Sequence, residues 1–308
     1  LMFKTDSVLS VLDRMLMILF CGLLLWGNIT HEPFRIEWFV YCQTAAYTVA
    51  VLVALAIVVY KSHLRKLTWN GPFFLMIMKR SLPFAALYLL MACYNRIDSV
   101  MIERMLPVDI ASTQAGIYAS AFRLLDALVM IAYLFSVILL PLFSKMIKER
   151  EDIQPIVRTS FSLLFVFAIS AVVILLGYKE SVISLLYDEH VAASVAVFSI
   201  LIPCIIPTSF TYVFGTLLTA NGSLKKLNIT ALVGILVNIV VNIIMIPLWH
   251  ARGAAVASLC TQSVVSLLQF IIAMRELKVP LRTLPWLSCL LFITLLVPTV
   301  MIASRHLH

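Results

Sequence analysis

Long apolar stretches recur about nine times along this chain of 308 residues, and each contains roughly 18–30 residues. An α-helix rises about 1.5 Å per residue, so each stretch is long enough to cross the ~30 Å hydrocarbon core of a bilayer. The sequence therefore predicts an all-α fold, a polytopic membrane helix bundle with about nine transmembrane helices. Their approximate ranges are 8–27, 38–60, 82–105, 114–143, 157–177, 192–219, 228–248, 254–274 and 286–303.

Basic residues between these stretches fall mainly on one side of the predicted membrane. If the first stretch leaves the cytoplasm, sixteen Lys and Arg residues lie inside, five lie outside, and two lie within the membrane. Such an asymmetry is typical of multi-pass proteins and predicts an inner (cytoplasmic) membrane location. The basic residues of the inner loops account for most of the net charge of +8. Anionic membrane lipids are the simplest partner for that charge, so no nucleic-acid partner is predicted.

Motifs of soluble enzymes are missing from the sequence. The six cysteines lie within apolar stretches and form no CxxC pair, and the six histidines show no HExxH spacing. Glycine-rich phosphate loops and nucleophile elbows are likewise not found. We therefore predict no catalytic residues, no metal site and no cofactor, and we expect a protein that is not an enzyme.

A basic segment at about 61–80 interrupts the regular rhythm of apolar stretches. It carries Trp69 and Pro72 and contains too few consecutive apolar residues to span a bilayer, so we predict a connector along the inner interface. This connector is the best candidate boundary between two lobes. The chain opens with Leu1 rather than Met, and we expect it to be a fragment without its N-terminal part.

Ionisable and amide side chains occur within two consecutive predicted helices. Asn95, Arg96 and Asp98 lie in the first, and Arg123 and Asp126 lie in the second. By helical rise, the four charged residues lie roughly 10–18 Å below the outer surface. Charges at that depth cost about 2.5–3.5 kcal/mol each on insertion scales, so they normally face one another or a water-filled cavity.

Two interpretations of these charges remain open. They form interhelical salt bridges that hold the hairpin together, for instance Asp98 with Arg123, or at least one arginine faces a substrate or an ion. Arg123 and Asp126 are three residues apart and share a helix face. Arg96 and Asp98 are two residues apart and point in different directions, so both cannot face one cavity without distortion.

Two further pairs of residues carry a structural signal. Asn238 and Asn242 lie on one face of a predicted helix, and we favour hydrogen bonds to a neighbouring helix over substrate contact. Pro203 and Pro207 share a face of another helix and each removes a backbone hydrogen bond. They form either a static bend or a hinge for movement.

Several strings in the chain, in this order, resemble one family of transporters. They are NRIDSVMI, AGIYASAFRLLDAL, VILLPLFSK with Pro141, LLTANGSLKKLNITALVGILVNIVVNIIMIPLW and RGAAVAS, and together they cover about 82–275. The set resembles the polysaccharide flippases of the MOP superfamily, which move lipid-linked O-antigen or capsule repeat units. The same superfamily includes the peptidoglycan lipid flippase and multidrug exporters.

The resemblance implies two six-helix lobes around a central cavity that opens alternately to each side. Residues 81–276 would form the complete second lobe, 1–60 the last two helices of the first lobe, and 277–308 an additional C-terminal helix, with four N-terminal helices missing. The implied substrate is an undecaprenyl-diphosphate-linked oligosaccharide, with membrane lipids and glycan-assembly proteins as further partners. Arg96 and Arg123 would bind phosphate, Asp98 and Asp126 would orient them or bind a coupling ion, and Asn95 would line the cavity.

Two other functions are weighed against the flippase. A cation-coupled multidrug exporter of the same superfamily would be expected to carry unpaired acids, whereas here each intramembrane acid has an arginine nearby in the sequence. A membrane glycan polymerase or ligase would need a large external loop. The longest external connector, Tyr178 to Val191, has roughly 14 residues and is too short.

Overall fold

A computed structural model describes residues 3–26, 36–61, 70–280 and 284–305, and every regular element within these ranges is helical. Seven helical segments among them are long and apolar enough to cross a membrane. The predicted all-α, multi-pass membrane bundle is confirmed. The chain separates into two compact units between Phe74 and Leu75, and each unit is described by itself below.

The first unit contains a helical hairpin. Helix α1 spans Phe3–Trp26 and α2 spans Ile36–Lys61, close to the predicted ranges 8–27 and 38–60, and the two helices contact each other. Cys42 and Ala46 of α2 are buried in this contact. Small side chains at such positions let two membrane helices approach closely.

Helix α3, Gly71–Met105, begins about eleven residues before the predicted start at 82. Residues 62–69 of the predicted connector 61–80 lie outside the described residues, whereas the second half of that connector belongs to α3. The reason lies in local sequence: the Asn70 side chain accepts a hydrogen bond from the Phe73 N–H at 3.3 Å, and Pro72 lies in the first turn, where its missing N–H costs nothing. Pro83 lies inside α3 without ending it.

The second unit continues with nine more α-helices in the described residues, several of them longer than predicted because polar and basic residues extend their ends beyond the apolar stretch. The helix Trp286–Arg305 packs against the helix Gln154–Gly177. The elements are α4 (Val108–Glu149), α5 (Gln154–Gly177), α6 (Lys179–Leu186), α7 (Val191–Leu201), α8 (Ile205–Phe210), α9 (Thr216–Ala220), α10 (Leu224–Trp249), α11 (Ala251–Glu276) and α12 (Trp286–Arg305).

The predicted crossing 192–219 is a helix in several pieces, α7 to α9. A 3-10 turn at Ile202–Cys204 separates α7 from α8, and a π-helical turn at Thr211–Gly215 separates α8 from α9. Pro203 lies in the 3-10 turn and Pro207 lies in α8, where each proline removes a backbone donor. The broken segment is deeply buried against α4, α5 and α11, which hold its irregular backbone in place.

Two apolar clusters form the interior of the second unit. One surrounds Phe198 at the α4–α7 contact, and the other is an aromatic group on α5, α8, the π-helical turn and α11. Within the aromatic group the rings of Phe161 and Phe210 lie 5.1 Å apart, and those of Phe214 and Phe270 lie 4.9 Å apart. Between α10 and α11 the approach is so close that a Cβ on Gly234 would lie 2.6 Å from Val265 Cγ2.

Candidate functional site

The Asp98 carboxylate is fully buried where α3, α4, α10 and α11 meet, and it accepts four hydrogen bonds. Its Oδ2 accepts one from Tyr118 Oη at 2.8 Å and one from Ser258 Oγ at 2.7 Å. Its Oδ1 accepts one from Asn238 Nδ2 at 2.9 Å and one from Asn242 Nδ2 at 2.7 Å. Because a buried carboxylate is costly without such partners, this set of four donors is what allows Asp98 to lie inside the bundle.

Helical spacing explains how one carboxylate reaches donors on three other helices. Asn238 and Asn242 are four residues apart on α10, so both amides face α3, and a further hydrogen bond of 3.0 Å joins them. The predicted hydrogen bonding of this pair to a neighbouring helix is confirmed, and that neighbour is α3. Ser258, on α11, and Tyr118, on α4, complete the set; their oxygens lie 3.2 Å apart.

No arginine among the described residues contacts Asp98, so the proposed Asp98–Arg123 salt bridge is wrong. The directional difference predicted for Arg96 and Asp98 accounts for this: Asp98 points into the second unit, while the Arg96 side chain points out of it and is 68% exposed. One helix therefore presents a buried acid on one face and an exposed base on another.

Arg96 instead forms the ion pair across the α3–α4 hairpin, with Asp126. Arg96 Nη2 lies 2.9 Å from Asp126 Oδ2, and the Arg96 guanidinium carbon lies 5.3 Å from the centre of the Phe122 ring. The Asp126 side chain is 42% exposed, so the pair is open to its surroundings. The carboxylate and the aromatic ring together hold the guanidinium in one orientation.

Arg123 lies one turn from Asp126 on α4 but is not part of that ion pair. Its side chain is exposed, and among the described residues it has no hydrogen bond or ion pair. It lines a cavity of about 330 Å³ beside Ser120, Tyr187 and Glu189, where the loop between α6 and α7 meets α4. Arg123 is thus the arginine of the two that is free to contact a ligand.

Asn95 is partly buried and belongs to the interior network rather than to the exposed face. Its Oδ1 accepts a hydrogen bond of 2.8 Å from Gln262 Nε2 on α11. The structure therefore divides the predicted site residues in two. The side chains of Arg96, Arg123 and Asp126 are exposed or partly exposed, with Arg123 beside the α6–α7 loop and outside the Arg96–Asp126 pair, while Asn95 and Asp98 contact α10 and α11.

Three partners of the network were not singled out from the sequence. Tyr118, Ser258 and Gln262 have no unusual neighbours in sequence, and polar side chains of this kind are common in membrane helices. Tyr118 and Ser258 do lie within the strings AGIYASAFRLLDAL and RGAAVAS, so the resemblance marked their segments without giving them a role.

Pro203 and Pro207 belong to neither group and lie in the broken segment α7–α9. A polar side chain is buried beside this segment: Gln269 Oε1 of α11 contacts Gly215, and a Cβ at that glycine would lie 2.7 Å from the oxygen. The π-helical turn and a glycine together make room for the Gln269 side chain. Within the described ranges, no three His, Cys, Asp or Glu side chains form a group that could hold a metal ion.

Comparison with known proteins gives one informative result. No family model matches the sequence, and a search of curated proteins finds no match. Among solved structures, the chain is similar to "Lipid II flippase MurJ, inward closed conformation", with a TM-score of 0.69 and 13% sequence identity. The likeness covers 96% of this chain but only 60% of that one, so this chain spans about three fifths of its length. At this identity the likeness establishes the fold alone.

The carboxylates of Asp98 and Asp126 should differ sharply in what they contribute to the free energy of unfolding. Replacing Asp98 with Ala leaves four buried donors without their acceptor, and each such group costs about 1–3 kcal/mol. We expect a loss of several kcal/mol, measured as a lower thermal unfolding temperature of the purified protein in detergent. Replacing Asp126 with Ala is the matched control, since an exposed ion pair contributes about 0–1 kcal/mol. Equal losses in the two variants would contradict the hydrogen-bond network at Asp98.

Proposed function

We propose that this protein is a transporter that moves lipid-linked oligosaccharide repeat units across the bacterial inner membrane for surface polysaccharide biosynthesis. The observation that carries the proposal is the set of exposed or partly exposed charges on the spanning helices α3 and α4, which are the Arg96–Asp126 pair and the separate Arg123. The flippase fold and the ordered sequence strings support it.

Exposed arginines within spanning helices need water or a ligand, because contact with lipid tails would cost several kcal/mol. We therefore infer a hydrated chamber lined by this face of α3 and α4. A diphosphate group carries the negative charge that such a chamber attracts, and a guanidinium binds phosphate oxygens through two parallel hydrogen bonds. The undecaprenyl tail would remain in the bilayer while the charged head group crosses.

The two arginines have different roles in this proposal. Asp126 and Phe122 hold Arg96, so it presents an oriented guanidinium without a large loss of side-chain freedom on binding. Arg123 has no such support among the described residues and is free to follow the phosphate. Asp126 is the orienting partner, and its partial neutralisation of Arg96 keeps binding weak enough for release.

Asp98 is proposed as the coupling-ion group. It has no basic partner among the described residues, and the Asn242 Oδ1 beside it makes no hydrogen bond within the same residues. A proton or a monovalent cation arriving there would neutralise the carboxylate and alter the four hydrogen bonds that join α3 to α4, α10 and α11. Ion occupancy at Asp98 would thereby bias the position of α3, which also carries Arg96.

No step of this function breaks a covalent bond, so the protein needs no catalytic residue and no cofactor. We propose 81–276 as the second lobe of a flippase, 1–60 as two helices of a first lobe, and 277–308 as an additional C-terminal helix. Membrane lipids and glycan-assembly proteins are the proposed partners besides the substrate.

A cation-coupled multidrug exporter is the second candidate, and one observation favours it. Asp98 lies two residues from Arg96, but the two side chains point apart, so the described residues contain a buried acid without an arginine partner. Against it, the exposed group of charges contains two arginines and one acid, which suits an anionic head group better than a cationic drug. A glycan polymerase has less support, since the Tyr178–Val191 connector contains only the short helix α6.

Substitution of the arginines tests the proposed substrate. Replacing Arg96 or Arg123 with Ala should abolish surface glycan export in cells that depend on this protein, because the phosphate loses a charged, bidentate partner. Lys at either position should restore export in part, since its ammonium keeps the positive charge but cannot donate two parallel hydrogen bonds to the phosphate. Export is measured as surface glycan at equal protein level in the membrane.

Arg104 provides the matched control, because it lies exposed near the outer end of α3. Its replacement with Ala should leave export unchanged. Normal glycan in both the Arg96 and Arg123 variants would contradict the phosphate-binding role, and efflux of a cationic dye that depends on Asp98 but not on the arginines would favour the exporter.

We also propose that Pro203 and Pro207 form a hinge in the broken segment α7–α9. Replacing both with Ala should slow export more than it lowers thermal stability, because a continuous helix resists bending. Pro247→Ala in α10 is the control for loss of a proline elsewhere, and it should leave the export rate near the parental value. A double variant that exports at the parental rate would show that the prolines form only a static bend.

A further inference from the structure

A second cavity of about 530 Å³ lies where α4 and α7 meet the turn between α10 and α11. Its volume falls in the range of small-molecule pockets. Its wall is apolar and includes Ile117, Val197 and Ile200. Its mouth is formed by Trp249, His250 and Arg252 of the turn, so the cavity joins an apolar interior to a basic and aromatic entrance.

The α10–α11 turn is held in a fixed conformation. His250 has φ 53° and ψ −129°, a backbone region that a residue with a side chain rarely adopts, and its N–H donates to the Ile246 carbonyl at 2.8 Å. The Ala251 N–H donates to Gln114 Oε1 at 3.3 Å, which ties the turn to α4. Gly253 lies so close to the backbone of α10 that a Cβ would not fit. The backbone that carries the Arg252 side chain is therefore held in a fixed position.

Two polar groups at the entrance could bind a ligand. Arg252 is exposed and forms no ion pair with any described residue, and the buried His250 Nδ1 has no hydrogen-bond partner within the same residues. Trp249 is 55% exposed, as is common for tryptophan at the membrane–water interface. Arg252 is also one of only five basic residues that the topology assigns to the outer side.

We propose that this cavity binds an anionic phospholipid of the outer leaflet. The phosphate of the head group contacts Arg252, through the bidentate geometry that a guanidinium offers. One acyl chain lies along the apolar wall formed by α4 and α7, and Trp249 borders the glycerol region. The bound lipid bridges α7, which leads into the broken segment, to the rigid α10–α11 turn, and so stabilises this end of the second unit.

This inference rests on the membrane orientation and not on the proposed substrate. None of Arg96, Arg123 and Asp126 lines this cavity, although Ile117 borders both it and the cavity beside Arg123. Lipid binding and glycan export can therefore fail independently, so a negative result for one does not decide the other.

Native mass spectrometry of the purified protein, titrated with phosphatidylglycerol in detergent, tests the proposal. We expect one lipid to bind preferentially, and Arg252→Gln to weaken that binding about fivefold, the factor expected for one basic residue at an anionic lipid surface. Arg104→Gln removes the same charge from the outer end of α3 and should leave the affinity unchanged. Ile200→Trp should also weaken binding, because it fills the apolar part of the cavity.

Three results would overturn the proposal. Equal weakening in Arg252→Gln and Arg104→Gln would show that the lipid responds only to overall charge. Equally tight binding of zwitterionic phosphatidylcholine would show that Arg252 selects no anionic head group. Displacement of the lipid by millimolar inorganic phosphate would show an anion site that makes no use of the apolar wall.

Discussion

The buried carboxylate of Asp98 is the interaction on which the interior of the second unit depends. It joins α3 to α4, α10 and α11 through four hydrogen bonds, with donors up to 160 residues away in sequence. In a bilayer the hydrophobic effect does little to bring helices together, so packing and polar contacts decide their arrangement. Because every donor points at one acceptor, the position of α3 is tied to the state of a single charged group.

The same helix carries the feature that we connect to transport. Arg96 lies two residues before Asp98 and therefore on a different face, where it pairs with Asp126 and faces outward. A change at Asp98 that moves α3 must move Arg96 with it. Under the proposal, this geometry would link ion binding at Asp98 directly to the charge that Arg96 presents to a head group, without any intermediate chain of contacts.

Much of the architecture follows from patterns within the sequence. Apolar stretches and basic loops predicted the helices, and helical spacing predicted that Arg96 and Asp98 diverge and that Asn238 and Asn242 bond to a neighbour. Spacing could not say which neighbour, since Tyr118, Asn242 and Ser258 meet only after four helices assemble. The early start of α3 was missed because Pro72 and the basic pair Lys79 and Arg80 interrupt the apolar pattern of its first turns, which is typical of a connector. An ion pair between α3 and α4 was predicted, but the example given, Asp98 with Arg123, was wrong, since the pair is Arg96 with Asp126. The rotation of α4 about its axis decides whether Arg123 or Asp126 faces α3.

The central claim is that α3 and α4 separate a water-exposed arginine face from a buried network around Asp98. Cysteine accessibility measures this directly in membranes, with the native cysteines replaced by Ala and a membrane-impermeant thiol reagent added. We expect Arg123→Cys and Arg96→Cys to react rapidly and Ser258→Cys, a near-isosteric change beside Asp98, to be protected. Rapid labelling at 258 together with protection at 96 and 123 would contradict the claim.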